Sequence, residues 1–288
     1  MTSRIEQEIQ GKTSLIIVNS DSDVGTLKVA KYDVPGADKI GIINVNYPFD
    51  AFPFPVKYND SYLKGLAKCG PYKSDTWAVN VFRDFVKVNL DDFEKITVWH
   101  GNTTSDLMFL YFFAKYYGKP FYQLDVAKAT GAKEFSGIIW ENLSVIETLF
   151  GKEELLTIED VEALKEKAQS IIDGDTGLHR LNPEGKVGNV LPEQYTQCLI
   201  SVLEKNGGQL KMSRLVGQLM GQELWPSSEY FVNKVIAHHI KTGHVQALWE
   251  TDGSIIPAEE CYPDYQKIEL QEPGPKEFVY RRVIIKLP

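Results

Sequence analysis

Cysteine is scarce in this chain. Cys69, Cys198 and Cys261 are its only three in 288 residues, and they stand far apart. That number and spacing exclude a disulfide framework and a thiolate metal site, and they fit a reducing compartment. No stretch approaches the ~20 consecutive apolar residues of a membrane span, and no apolar run follows a basic start. No membrane partner is expected, and the expected location is cytoplasmic. Basic charge is short as well: 31 Lys and Arg stand against 39 Asp and Glu, a net −8. That balance gives no global field for nucleic acid or an anionic surface. Also lacking are a Gly-x-Gly-x-x-Gly fingerprint, a Walker motif and a serine in a nucleophile elbow, so standard dinucleotide, P-loop and acyl-transfer chemistry have no support.

What is present is an ordinary globular composition, 43% hydrophobic and 24% charged, long enough for one large or two ordinary domains. Met1–Lys12 is polar and reads as a loose leader. The chain organises itself around Leu15–Ala30. There four apolar residues, Leu15 to Val18, read as a strand buried on both faces, and small polar residues from Asn19 to Asp23 lead into a helix. Lys39–Asn46 and Lys95–Trp99 repeat the strand pattern, and Pro120–Leu124 is a fourth short strand. Ser74–Val88 and Leu107–Tyr117 read as helices between them. After Trp99 comes a second small polar turn, His100–Asp106, in which Thr103 and Asp106 have capping-box spacing.

Apolar strands alternating with helices imply an α/β fold with a parallel, Rossmann-like sheet over residues 13–150. Ligands of such sheets sit beyond the carboxyl ends of the strands. The two turns are therefore the site candidates. A further stretch, Asn46–Asp60, carries three prolines and five aromatics and reads as a loop, either a lid over that site or a segment pinned by its rings. Residues 151–188 read as a helical connector, closing in the glycine-rich run Gly174–Gly188. Residues 189–288 change rhythm. Short helices at Pro192–Lys205, Lys211–Met220 and Glu229–Lys241 precede strands at His244–Glu250 and Val279–Lys286, the outline of a smaller winged-helix-like α+β domain.

These features resemble an uncharacterised bacterial family, the domain of unknown function 1835 with its C-terminal partner domain. Ser20-Asp21-Ser22-Asp23-Val24-Gly25-Thr26-Leu27 is similar to that family's Gly-Asp-Ser-x-x-Gly-x-Leu, with Ser20 where Gly is usual. Trp99–Asp106 resembles its Trp-x-Gly-x-Asn-x-x-Glu, with Thr103 where Asn is usual. Arg83, His179-Arg180 and Arg214–Gly217 are similar to its remaining short motifs. The resemblance implies the architecture; it carries no established reaction.

The candidate catalytic residues are Asp21 and His100. Asp21 suits a ribose hydroxyl or a divalent cation better than a phosphate, and serves equally as a helix cap. His100 follows a strand at the presumed ligand edge, where a general acid or base works; a solvent-facing turn histidine is the plainer reading. The candidate ligand-binding residues are Asn19, Ser20, Ser22, Gly25, Gly101, Asn102, Thr103 and Asp106, with Arg83 and Arg180 as anion holders. His238, His239 and His244 do not make a zinc site, because neighbours on a helix point about 100° apart. The residues name no cofactor.

The expected partner is a nucleotide-, sugar- or phosphate-bearing small molecule, bound by an enzyme or a binder. The rivals are a ligand-sensing DNA-binding regulator and a protein-interaction scaffold. Residues Lys186–Val245 hold six Lys and Arg against four Asp and Glu, too thin a basic margin for a clear DNA footprint.

Overall fold

The computed structural model describes residues 3–59, 75–132, 135–224, 226–257 and 283–288, the side chains of 75–79, 222 and 223 excepted. Ser74, Cys69, Cys261 and the start of the last strand at Val279 lie outside the described residues.

Five strands make one sheet in the order β2-β1-β3-β4-β5. They are β1 (Ser14–Val18), β2 (Ile40–Asn44), β3 (Lys95–His100), β4 (Phe121–Asp125) and β5 (Glu154–Leu156). The first four run parallel and β5 pairs antiparallel at the edge, so the domain is a mostly parallel α/β sheet consistent with a Rossmann-like layout. β1 lies between β2 and β3, and the chain leaves it on opposite sides in turn. That reversal of strand order opens a crevice at the carboxyl ends of β1 and β3.

Both sheet faces are buried because β1 alternates between two apolar layers. Leu15 and Ile17 enter one, Ile16 and Val18 the other, and all four are at most 4% exposed. Burying side chains of this size contributes about 1.5–3 kcal/mol each. The first layer is covered by α3 (Asp75–Phe85), α4 (Thr104–Tyr117) and α7 (Ile158–Ile172). The second is covered by α2 (Asp21–Ala30) and α6 (Leu143–Glu147). The short α5 (Val126–Thr130) follows β4. No helix among the described residues is long and apolar enough to cross a membrane.

Two segments depart from the sequence reading, and for a third, the aromatic loop, one of its two alternatives holds. The leader is not loose: Arg4–Ile9 forms α1, closed by a Ser3/Glu6 capping box. It is tied down by buried Ile5, by the Glu8 carboxylate on the Ile42 N–H at 3.2 Å, and by the Lys28–Glu8 ion pair. Between 46 and 59 the rings Tyr47, Phe49, Phe52 and Phe54 are all at most 1% exposed. The loop is pinned by its aromatics, a wall and not a lid. The stretch after residue 150 is more than a connector, since it supplies edge strand β5, helix α7 and a hairpin, β6 (His179–Leu181) with β7 (Val187–Asn189).

The C-terminal segment orders as α8 (Thr196–Lys205), β8 (Gln209–Lys211), α9 (Met212–Gln218), α10 (Glu229–Lys241), β9 (Gln246–Trp249) and β10 (Val283–Lys286). A π-helical turn, Leu219–Glu223, extends α9. The three strands form an antiparallel sheet, β8-β10-β9. The first apolar layer continues from Leu15 through Phe112 to Phe231 and Ile285, so the segment shares one core with the large sheet.

A buried carboxylate stitches the two together. Asp50 is 1% exposed and accepts from the Ser228 N–H at 2.7 Å and the Ser228 hydroxyl at 2.8 Å, at the very start of α10. Its backbone carbonyl accepts from the His179 N–H at 2.9 Å. Burial pushes the Asp50 carboxyl up, and the two Ser228 bonds oppose that rise. Truncating it to Asp50→Ala strands a part-buried N–H and a part-buried hydroxyl. Chemical denaturation is expected to show a loss of about 2–3 kcal/mol, with Asp50→Asn losing less; an alanine variant as stable as the parent contradicts the stitch.

Candidate functional site

Each turn at the crevice is built by the same local device. In the first, Ser20 is the N-cap of α2 and its hydroxyl oxygen accepts from the Asp23 N–H at 3.1 Å while donating to the Asp23 carboxylate at 2.8 Å. In the second, Thr103 caps α4. Its hydroxyl accepts from the Asp106 N–H at 3.2 Å and donates to the Asp106 carboxylate at 2.7 Å. Ser-x-x-Asp and Thr-x-x-Asp thus place one carboxylate at the third residue of each helix, where the helix dipole favours negative charge. The turns meet: the Asn19 amide donates to the Ser105 hydroxyl at 3.0 Å, across 86 positions of sequence.

Around this junction lies a cavity of about 480 Å³, within the usual range for small-molecule sites. Asn19, Ser20 and Asp23 line it from the first turn, and Gly101, Thr103, Ser105 and Asp106 from the second. The pinned loop adds Asn46, Tyr47, Pro48 and Asp50. Asn46 holds φ at +50°, a left-handed conformation that asparagine tolerates, and its N–H donates to the Asn19 carbonyl at 2.7 Å. A third wall, Gly137–Trp140, is clamped by Asn102, whose side-chain oxygen accepts from the Ser136 N–H at 2.8 Å. Met220, Ser228 and Tyr230 close the cavity from the C-terminal segment.

Gly101 is obligatory. A Cβ there would stand 2.2 Å from the Ser136 carbonyl oxygen and 2.7 Å from the Asp106 carboxylate.

The electrostatics are one-sided. Asp23, Asp50 and Asp106 line the cavity, and no Lys, Arg or His does among the described residues. Asp23 is 8% exposed; burial first, and then the charge of Asp106, push its carboxyl up to about 7. Asp106 is raised as well, by burial, against the hydrogen bond from Thr103 and the attraction of His100. One carboxylate poised near neutrality beside another is an arrangement that supports general acid–base work.

Asn19, Ser20, Gly101, Thr103 and Asp106 are therefore brought together, and the other sequence candidates are not. Asp21 sits one residue into α2, outside the cavity, and faces Arg4 at 3.4 Å. Ser22 and Gly25 lie along the same helix away from the cavity, and a Cβ on Gly25 would meet nothing within 4 Å. Asn102 shapes the wall without lining it. His100 is buried at 3% exposure with Nδ1 2.7 Å from the Gly101 carbonyl. It faces a separate hollow of about 280 Å³ shared with Tyr111, Gln123 and Lys167. Arg83 lies in α3, and Arg180 in β6 stacks 5.6 Å from the Tyr195 ring; neither lines the cavity.

Residues missed from sequence are Asp23, Asn46, Asp50, Ser105, Trp140 and Tyr230. Only Asp23 had a signal, the spacing it shares with Thr103/Asp106. His239 is fully buried between the Val235 carbonyl at 2.7 Å and the Thr196 hydroxyl at 2.8 Å. Among the described residues no three His, Cys, Asp or Glu gather as metal ligands. No protein-family model matches the chain, and no curated protein does.

A raised carboxyl has a thermodynamic signature. Between about pH 4 and pH 7 the folded chain keeps a proton on Asp23 that the unfolded chain has released, so stability falls as pH rises through that window. The loss from this group is at most about 4 kcal/mol. Asp23→Asn, which cannot ionise, is expected to match the parent near pH 4 and to exceed it by about 1–3 kcal/mol at pH 8. Equal pH slopes for parent and variant in denaturant melts contradict the raised value.

Proposed function

We propose that the chain binds, and in its enzymatic form acts on, a small molecule carrying a sugar or nucleotide-type group, held at the carboxyl ends of β1 and β3. The observation that carries this reading is the junction of two helix starts at the reversal of strand order, around a cavity with a poised carboxylate pair. Asp23 and Asp106 accept from ligand hydroxyls, and Asp23, titrating near neutrality, is the proton donor or acceptor. Asn19 and Ser105 set the spacing of the two turns. The similarity to the domain of unknown function 1835 agrees with this architecture and adds no reaction. A cytoplasmic setting fits the few cysteines.

The DNA-reading rival rests on the C-terminal order of helices and strands, which we read as a winged-helix-like module. In such a module α10 would enter the major groove. Here Ser228 is held by Asp50, Tyr230 packs edge-on against Phe52 at 5.9 Å, and Lys234 lies 5.0 Å over the same ring. That face of α10 is spent on the pinned loop, and the module reads as a packing element that completes the cavity.

A thermal-shift panel of nucleosides, sugars and their phosphates tests the proposal. A ligand at about 100 times its Kd adds about 2.7 kcal/mol, a rise of several degrees for a chain of this size. Asp106→Asn keeps the side-chain length and is expected to lose most of that rise. A panel without effect, or an Asp106→Asn variant that responds like the parent, sinks the reading.

A further inference from the structure

Resting on the reading just given, we infer that the cavity receives an unphosphorylated nucleoside: its ribose enters between the two turns and its base lies toward Trp140, with no phosphate inside. Two features exclude phosphate. The first is charge. The lining holds three carboxylates and, among the described residues, no cation. A phosphate placed there meets like charge with no cation among the described lining residues to pair with it, and the low local dielectric strengthens the repulsion.

The second is that the third-residue N–H at each helix start is already engaged by that helix's own cap. Helix starts attract anions through free N–H groups. At α2 the Asp23 N–H is taken by the Ser20 hydroxyl, and at α4 the Asp106 N–H is taken by that of Thr103. The Gly101 N–H is directed at the Asp106 carboxylate. Both helix starts carry their own anion.

The lining also carries two kinds of group. Asn19, Ser20, Asp23 and Asp106 present acceptors suited to paired hydroxyls. The most exposed lining side chains are apolar, Ile139 at 48% and Trp140 at 43%, and Tyr230 lines the cavity as well. Ring faces of this kind stack on a base without reading its sequence. Hydroxyl-pairing acceptors and exposed ring faces within 480 Å³ match a nucleoside better than a sugar alone.

Isothermal titration of the full chain with adenosine, uridine, their 5′-monophosphates, ribose and ribose 5-phosphate decides the matter. The expected result is nucleoside binding at least tenfold tighter than the matching monophosphate. Asp106→Asn, which removes one of the repelling charges, should weaken the nucleoside and narrow that ratio. Monophosphates that bind as well as or better than nucleosides overturn the inference and leave the cavity reading standing. Ribose binding without nucleoside binding overturns the base end and keeps the sugar end. Ribose 5-phosphate binding alone overturns the inference. No binding by any of the six, in titration and in melting, overturns the cavity reading and the inference together.

Discussion

Two carboxylates that the chain places 83 residues apart, Asp23 and Asp106, are both made costly to ionise by burial at the rim of the sheet, and the charge of Asp106 adds to the cost at Asp23. Each is held by the hydroxyl that caps its own helix, so neither can turn away without undoing that cap. The rest of the crevice follows from this constraint. Gly101 has no room for a side chain because the Asp106 carboxylate and the Ser136 carbonyl occupy the space. The turn at Asn19 is bonded to Ser105, and its carbonyl takes the N–H of Asn46, which swings into a left-handed conformation to reach it. Buried like-charged groups are unfavourable for stability. A fold that keeps them at a strand-order reversal is expected to use them.

The pinned loop ties the rim to the C-terminal segment. Pro48 and Asp50 face the cavity, while Phe49 and Phe54 sink into the layer around Phe112. The same loop meets His179, whose Nε2 is 3.1 Å from the Phe52 carbonyl, and Asp175, whose carboxylate accepts from the Phe54 N–H at 2.6 Å. Burial pushes the His179 imidazole down, against the charge of Asp175 and the two acceptors at its nitrogens, the Phe52 carbonyl and the Asn189 side-chain oxygen. The cavity therefore has rigid walls, and one of them belongs to a segment far along the chain.

Much of the layout was legible because strands and caps are local. The run Leu15–Val18, with no polar residue, announces a strand buried on both faces, and Thr103-x-x-Asp106 announces the cap that appears. Asp21 misled for a reason of register. With Ser20 as N-cap, Asp21 is the first helical residue and points to Arg4, whereas Asp23 is the third and turns inward. Reading the cap first would have chosen Asp23. His100 was placed correctly at a strand end, but the alternation of side chains along β3 sends it to the face opposite Trp99. Asp50 and Ser228, separated by 178 residues, left no local trace; only the tertiary fold brings a loop carboxylate to a distant helix start. The edge strand Glu154–Leu156 and the hairpin β6–β7 span three residues a strand, too short for a period of two to register.

A rim of acceptors beside exposed ring faces, with no Lys, Arg or His among the described lining residues, is what the proposed ligand, a hydrogen-bond donor without negative charge, would meet. That reading depends on Asp23 sensing the charge of Asp106. Carbon-detected NMR titration of the Asp23 side-chain carboxyl, in the parent and in Asp106→Asn, measures this directly. The account predicts a midpoint of about 7 in the parent, shifted to lower pH once the charge at 106 is removed. A midpoint in the ordinary carboxylate range, the same in both proteins, would contradict it.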